Sequence, residues 1–277
     1  MKNLLLVLSL LAMNAYACSN ECELDIAPED CELSEELCVT FIDYDTYTEG
    51  FRDKTGKITV PAIYGNIQIR NGIAIVQKDG FYGILNKSGK IITPIIYENI
   101  AINEKGMMIG KNSQFFLINE QGKQISKPYT HLRDISDIED KAIFCEMVNN
   151  EILCGIIDSL GKIIVSAKYH RIELLTNHNG YHPKFVAVSN DKNKFAVLDI
   201  DKAQTITPFI YDEIGHVSDG LIIVKLNGKY GFIDGTGKQV ITPIYDNVAE
   251  YGFKYGLAIV EKDGERFYID KTGKKVP

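Results

Sequence analysis

The sequence predicts an all-β protein made of about seven tandem units, each of three short strands. Three observations lead to this fold class. A turn marker recurs at a nearly constant interval, the segments on both sides of it are rich in strand-favouring residues, and no sustained helical period follows the N-terminal segment. Because so small a unit cannot bury a core alone, the repeat also predicts that neighbouring units pack against one another.

The recurring marker is an Asp or Asn followed three residues later by Gly-Lys. Its copies lie 33, 33, 39, 41, 35 and 36 residues apart, and one copy has lost the glycine. The Asp or Asn side chain can accept a bond from the backbone two residues on, and glycine takes the positive φ that closes the loop. The marker therefore predicts a hairpin turn. The copies begin at Asp53, Asn86, Asn119, Asp158, Asp199, Asp234 and Asp270.

One unit near the C-terminus shows the predicted strands clearly. Residues 221–224 and 230–234 are apolar runs joined by Asn227-Gly228, a dipeptide typical of tight hairpins. Residues 239–245 form a third run after the marker. Proline recurs in this third run, where it cannot donate to a ladder and so marks a strand end, an edge or a bulge. A tyrosine and an acidic residue then lead into the next unit.

The two ends of the repeat look incomplete. The first unit has only its second half, residues 53–67, and the last has mainly its first half, residues 256–277. Such halves fit the two caps of a curved or superhelical β-array. They also fit the closing unit of a propeller-like ring, which is the alternative. The unequal intervals favour the open array, because they would distort a ring.

The repeat resembles that of the bacterial WG-repeat family, also written KWG. That family's unit runs from an apolar strand through Lys-Trp-Gly-Phe-Ile-Asp to Gly-Lys, a further apolar strand, Pro and Tyr-Asp. This chain has no Trp, and Tyr82-Gly83 and Tyr230-Gly231 stand at the Trp-Gly position. The resemblance implies a tandem β-repeat domain over residues 51–277. It implies little chemistry, because the family's biochemical role is largely unassigned.

The N-terminus indicates export. Residues 1–17 have the features of a secretory signal, with Lys2, an apolar run and a small-residue site that predicts cleavage after Ala17. The run is too short to span a membrane, and nothing later approaches twenty apolar residues, so no transmembrane span is predicted. The expected location is periplasmic or secreted.

Residues 18–50 form an acidic, cysteine-rich segment with eleven acidic residues and no basic one. Residues 51–277 carry 29 basic and 26 acidic residues. We interpret the segment as a leader, either solvated or lying against the repeats. The net charge of −7 gives no indication of nucleic acid binding.

Six cysteines in an exported chain predict three disulfides. Aligned on the repeat, Cys145 corresponds to Val76 and Cys154 to Tyr82, on facing strands, so a cross-strand disulfide is predicted. The remaining four allow three pairings, and zinc is a weaker rival because no Cys-x-x-Cys pair occurs. These four are Cys18, Cys22, Cys31 and Cys38.

Cys18 directly follows the cleavage site, which raises the alternative of a lipoprotein anchored at Cys18. Ala15 stands three residues before this cysteine, where a lipoprotein signal has Leu. Acylation of Cys18 would also leave an odd number of cysteines. Simple cleavage is therefore the preferred interpretation.

No catalytic, metal or cofactor motif is found. Gly235 and Gly237 resemble a phosphate loop but lie in the recurring hairpin marker, before a strand rather than a helix. His178 and His182 are four residues apart, yet Asn-Gly between them indicates a loop. The sequence predicts no enzyme activity, no cofactor and no metal site.

Aromatic residues outside the repeat register are the candidate ligand-binding residues, because insertions in repeat proteins often lie on the binding face. They are Tyr181, Tyr251, Phe253 and Tyr255. The predicted function is a non-catalytic exported repeat protein that binds a protein or cell-envelope ligand through an extended β surface. The alternatives are a lipid-anchored envelope scaffold and an enzyme whose site is assembled between repeats.

Overall fold

The computed structural model describes residue 34 and residues 37–70, 72–102, 108–119, 121–134, 140–177 and 180–277. All regular secondary structure in these ranges is β, and the strands form seven antiparallel sheets. The chain divides after Ile100 into two compact units. The predicted all-β tandem architecture is confirmed, while the choice between an open array and a ring stays a prediction.

Sheets 1 and 2 lie in the first compact unit. Their strands are β1 (Val39–Asp43), β2 (Thr48–Arg52) and β3 (Ile58–Tyr64) in sheet 1, and β4 (Asn66–Arg70), β5 (Ile73–Lys78), β6 (Phe81–Leu85) and β7 (Ile91–Tyr97) in sheet 2. The boundary drawn at residue 50 falls inside β2, so the end of the acidic segment supplies strands to the first sheet. Leu37 and Cys38 are fully buried, and Leu37 joins the core between sheets 1 and 2.

Sheet 3 begins at the boundary between the two units, and sheets 4 to 7 belong to the second unit. Sheet 3 contains β8 (Asn99–Ile102), β9 (Met108–Asn112) and β10 (Gln114–Ile118), and sheet 4 contains β11 (His131–Asp134), β12 (Lys141–Val148), β13 (Glu151–Asp158) and β14 (Ile163–Tyr169). The strands of sheets 5 to 7 are β15 (Arg171–Asn177), β16 (Gly180–Ser189), β17 (Phe195–Asp199), β18 (Gln204–Thr205), β19 (Glu213–Ser218), β20 (Leu221–Leu226), β21 (Lys229–Asp234), β22 (Gln239–Tyr245), β23 (Asn247–Lys254), β24 (Leu257–Lys262), β25 (Glu265–Asp270) and β26 (Lys275–Val276).

Five of the seven sheets have four strands, one more than the predicted unit of three. The additional strand is the segment after each tyrosine-acidic pair, which the sequence indicated only as the lead into the next unit. It is the first strand of the next sheet. The last unit also has all four strands, although the fourth is only Lys275–Val276. The ends are therefore more complete than the two half units expected.

The recurring marker forms the predicted hairpin turn between the third and fourth strands. In sheet 6, Asp234 Oδ1 accepts hydrogen bonds from the N–H groups of Thr236 at 2.8 Å and Lys238 at 3.1 Å. Gly237 closes the turn with a φ of 87°. The hydroxyl and N–H of Thr236 and the N–H of Lys238 hold the pKa of Asp234 below its ordinary value.

The glycine of each Trp-Gly position lies beneath a bulge in the fourth strand. In sheet 6, Tyr230 pairs with Tyr245 and Phe232 with Ile241, so β22 has extra residues opposite Gly231. A Cβ on Gly231 would lie 2.6 Å from the carbonyl oxygen of Ile241. The bulged backbone thus occupies the place of a side chain. Recurring prolines, such as Pro94 and Pro243, lie in these bulges, as the sequence predicted.

The hydrophobic cores lie between consecutive sheets. In the second unit, four clusters join sheet 3 to 4, 4 to 5, 5 to 6 and 6 to 7 in turn. Alternate residues of one strand serve two of them: Ile222 faces sheet 5, whereas Ile223 faces sheet 7. The last cluster contains Phe232 of sheet 6 and Phe253 of sheet 7, whose ring centroids are 4.8 Å apart. No described sheet of the second unit therefore has a core of its own.

Ion pairs connect consecutive sheets at the end opposite the marker turns. Asp246, between sheets 6 and 7, binds the Lys229 ammonium of sheet 6 and accepts the N–H of Asp263 in sheet 7 at 2.8 Å. In sheet 4, Glu151 stands at the lysine position and His170 at the acidic position, with 3.5 Å between Glu151 Oε2 and His170 Nε2. Sheets 5 and 6 repeat the usual arrangement with Asp212, Lys194 and Gly228.

Sheet 3 departs from the pattern by exchanging large and small residues across a strand pair. In sheets 2, 4 and 6 a large residue on the second strand faces the glycine of the third, as Val224 faces Gly231. In sheet 3, Gly110 faces Phe116, and a Cβ on Gly110 would lie 2.7 Å from the Phe116 ring. The fourth strand of this sheet is reduced to isolated bridges. One large residue per pair is therefore kept, although its strand changes.

The turn glycines make a specific stability prediction. Gly237 and Gly264 both have positive φ, but a Cβ on Gly237 would lie 2.0 Å from the Ile206 carbonyl oxygen, whereas one on Gly264 would meet nothing within 4 Å. We expect Gly264→Ala to cost about 1–2 kcal/mol of unfolding free energy through backbone strain. Gly237→Ala should cost about 1–3 kcal/mol more, because the neighbouring sheet must move.

Urea denaturation of the two variants measures this difference. Equal losses of unfolding free energy would contradict the close packing of the Gly237 turn on sheet 5.

Candidate functional site

The ladder between the first and second strands is interrupted in sheets 5, 6 and 7. The register shifts lie between Leu174 and Thr176 in β15, between Ile214 and Val217 in β19, and between Val248 and Phe253 in β23. The corresponding ladders of sheets 2 and 4 run without a shift. Bulges of this kind turn side chains in new directions and are frequent beside functional sites. The interrupted first ladders of sheets 5, 6 and 7 are therefore a candidate site in the second unit.

Three polar or aromatic side chains meet along these interrupted strands. Thr176 Oγ1 is hydrogen-bonded to Nδ1 of His216. The His216 and Tyr251 rings have centroids 5.0 Å apart and planes inclined by 51°. The three residues come from sheets 5, 6 and 7. They can meet because β19 lies beside both β15 and β23. We call Thr176, His216 and Tyr251 the bulge surface.

Side chains of sheet 6 hold the bulge of β23 by accepting hydrogen bonds from its backbone N–H groups. Ser218 Oγ accepts the N–H of Phe253 at 2.9 Å, and a Cβ on Gly252 would lie at the same distance from that oxygen. Asp219 accepts the N–H of Gly256 at 2.6 Å. Tyr251 is thereby presented with 48% of its area exposed, on a segment whose two ends are fixed.

The four aromatic residues predicted to bind a ligand lie in different environments. Tyr251 lies in the bulge surface, and the backbone of Tyr181 pairs with Thr176 next to it. Tyr255 is 91% exposed at the hairpin turn that follows β23. Phe253 is fully buried in the core between sheets 6 and 7, so its assignment as a ligand-binding residue is wrong. The register shift in β23 separates this residue from Tyr251, because it resumes the ladder opposite Ala258 and packs on Phe232.

His216 and Thr176 were missed because each lies at an ordinary strand position in the sequence. Only the marker intervals carried a signal: the two longest, 39 and 41 residues, surround sheets 4 and 5, where β15 and β16 are extended. Of the two histidines considered as a pair, His178 lies outside the described residues.

The cysteines of sheet 4 form the disulfide between Cys145 and Cys154, with their Cα atoms 4.0 Å apart. They are direct cross-strand partners. The repeat alignment was wrong by one residue, since Cys145 corresponds to Gln77, the partner of Tyr82, and not to Val76. Cys38 is also disulfide-bonded. Cys18, Cys22, Cys31 and the cleavage site after Ala17 lie outside the described residues.

In the described part of the chain, no three His, Cys, Asp or Glu side chains converge in a way that would hold a metal ion. The same residues include no helix of the length and apolarity needed to cross a membrane.

A recurring tyrosine at the end of the fourth strand lies opposite the residue at the Trp position and is largely buried. Burial raises the pKa of each above its ordinary value of 10.0 in Tyr64, Tyr97, Tyr129, Tyr169, Tyr211 and Tyr245.

These tyrosines predict a loss of stability at alkaline pH. An unfolded tyrosine ionises near pH 10, whereas the folded ones keep their protons to higher pH. Between the two pKa values the unfolded state binds fewer protons, so the unfolding free energy falls as pH rises. Tyr245→Phe should make this fall less steep, and Tyr255→Phe, at an exposed position, is the control.

Urea midpoints between pH 9 and 11 measure the effect, with phenolate absorbance recording ionisation. A Tyr245→Phe slope equal to that of the wild type would contradict the assignment.

The sequence matches the family model described as WG containing repeat at residues 50–80, 82–109, 155–194, 201–230 and 230–265. These matches cover more than half of the chain, which therefore belongs to the WG-containing-repeat family. The unmatched stretch between residues 109 and 155 includes the exchanged Gly110 and Phe116 and the disulfide hairpin. The bacterial source implied by the resemblance stays a prediction.

No curated protein matches the chain significantly. The computationally designed Ika8 protein is 14% identical, with 88% of this chain and 84% of that chain covered and a TM-score of 0.32. The AfRom2 CNH domain is 10% identical, with coverage of 77% and 83% and a TM-score of 0.31. The Neurospora crassa Pan2 WD40 domain is 13% identical, with coverage of 75% for both chains and a TM-score of 0.31. Likenesses this weak carry no argument here.

Proposed function

We propose that this protein is an exported, non-catalytic repeat protein that binds a protein or cell-envelope ligand through its β surface. The observation that supports this most directly is the interrupted first ladder of three consecutive sheets, which brings Thr176, His216 and Tyr251 together. The resulting surface offers a hydroxyl, an imidazole and an exposed phenol ring. Such groups recognise a ligand by hydrogen bonds and by ring contact.

The same contacts favour binding over catalysis. A histidine that acts as a general base needs a nucleophile on one side and an orienting group on the other. Among the described residues, His216 is hydrogen-bonded to Thr176 and contacts the Tyr251 ring, and no carboxylate is bound to it. An enzyme assembled between repeats is the alternative class.

Export is supported by the N-terminal signal pattern and by the cross-strand disulfide, because disulfides persist in oxidising compartments. The intact mass of the exported chain separates the two proposed forms. A mature chain starting at an unmodified Cys18 supports free secretion. An acylated Cys18 supports the lipid-anchored scaffold instead.

The binding proposal is tested with cell-envelope material from the source organism. Sedimentation should retain the purified, oxidised chain. Tyr251→Ala and His216→Ala should each weaken retention about tenfold, because truncating a central contact residue removes most of its binding energy. Tyr44→Ala is the control, since this tyrosine is 73% exposed and does not belong to the bulge surface.

Equal retention of all variants, or no retention of the wild type, would overturn the assignment of this surface. Turnover of envelope material that is lost in the His216→Ala variant would favour the enzyme alternative.

A further inference from the structure

The fifth position of the recurring turn is a lysine in six markers, and the seventh has a lysine one position earlier. All seven are exposed, and they are Lys57, Lys90, Lys123, Lys162, Lys202, Lys238 and Lys274. The turn uses only the backbone of this position. In sheet 6, the Lys238 N–H donates to Asp234 Oδ1 and its carbonyl accepts the Asp234 N–H at 2.9 Å. Many side chains would satisfy that geometry, so the fold does not explain the lysines.

Local ion pairing explains them only in part. In the turns of Lys57, Lys238 and Lys274, the threonine hydroxyl lowers the pKa of the opening aspartate most, and the lysine charge lowers it further. Two of the turns open with a neutral residue, Asn86 or Asn119, and the lysine is still present. In the described ranges, only Lys202 of the seven forms an ion pair, with the buried Asp199 at 3.2 Å. The contrast with the opposite end of the sheets is clear, because Lys194 and Lys229 there are neutralised by aspartates.

Packing places the turns of the second unit in a row. A Cβ on Gly161 would lie 2.6 Å from the carbonyl oxygen of Ile125 in the preceding repeat, one on Gly237 2.0 Å from that of Ile206, and one on Gly273 3.3 Å from the Ile241 side chain. These three turns thus rest on the fourth strand of the repeat before them. The lysines of consecutive turns consequently follow one another along one end of the second unit. We call Lys123, Lys162, Lys202, Lys238 and Lys274 the lysine row.

The chemistry of this row indicates its ligand. Each turn carries lysine and never arginine, which suits attraction to repeated point charges rather than planar bidentate recognition. The residue that opens each turn is at least partly buried. The turns otherwise expose small hydroxyl residues such as Thr236 and Thr272, and among their described residues Asp201 and Leu160 are the exposed acidic and apolar exceptions. A protein partner would need an apolar centre to its interface. We infer that the lysine row binds a linear anionic polysaccharide, independently of the bulge surface.

The inference is tested with alginate, a linear polyuronate, and with neutral dextran of similar length. The turn variant carries Lys→Gln at positions 123, 162, 238 and 274. A control variant with the same change of net charge carries Lys→Gln at positions 78, 168, 192 and 262, none of which belongs to a marker turn. Circular dichroism and urea midpoints establish that both variants are folded.

We expect the wild type to bind alginate and not dextran, with affinity that falls as salt rises. The turn variant should bind about tenfold more weakly and the control less than about twofold more weakly, since each exposed ion contact contributes a small amount. Equal weakening of both variants would show a net-charge effect and overturn the inference. Tighter binding of polyglutamate or single-stranded DNA than of alginate, or no binding at all, would also overturn it.

Discussion

Packing between consecutive sheets is the main constraint on this fold. A sheet of three or four short strands buries too little apolar surface to be stable alone. In the second unit, each cluster of buried side chains takes its members from two neighbouring sheets. The central strands are therefore apolar on both faces, as the runs of β17 and β20 show. Stability in such an arrangement is a sum of nearest-neighbour terms.

This constraint fixes some positions of the repeat and leaves others free. The fourth-strand tyrosine and the turn glycine are held by contacts with a neighbouring strand or repeat. The cross-strand pair beside the tyrosine varies more in chemistry. It is Lys225 with Tyr230 in sheet 6, a disulfide in sheet 4, and Glu261 with Arg266 in sheet 7. This pair still contributes to the interfaces, since Cys154 belongs to the core between sheets 4 and 5 and Tyr230 packs against the core between sheets 6 and 7.

Much of the fold could be predicted from the sequence because its strongest signals are local. The marker turn depends on bonds that span four residues, and its Asp, Gly and Lys positions are readable in one copy. The first strand of each sheet was missed for the opposite reason. Segments such as β15 and β19 pair across irregular ladders, so their alternation is weak. The sequence predicted only half a unit at sheet 1, because β1 and β2 lack most of the repeat's residue pattern.

The candidate site was predicted only in part. Exposed aromatics outside the repeat register led to Tyr251 and to the neighbourhood of Tyr181, but register in β23 decides that Phe253 is core. Thr176 and His216 are 40 residues apart and meet only because β15 and β19 pack side by side. No local pattern contains that contact, since it arises from the stacking of sheets.

Hydrogen exchange in the Phe253→Ala variant tests most directly whether neighbouring sheets stabilise each other. Phe253 belongs to sheet 7 and packs on Phe232 of sheet 6. Shared cores predict faster amide exchange in β20 and β21 of sheet 6 as well as in β24 and β25 of sheet 7, with β12 and β13 of sheet 4 unchanged. Loss of protection confined to sheet 7 would contradict the account, because it would show that each sheet is stable by itself.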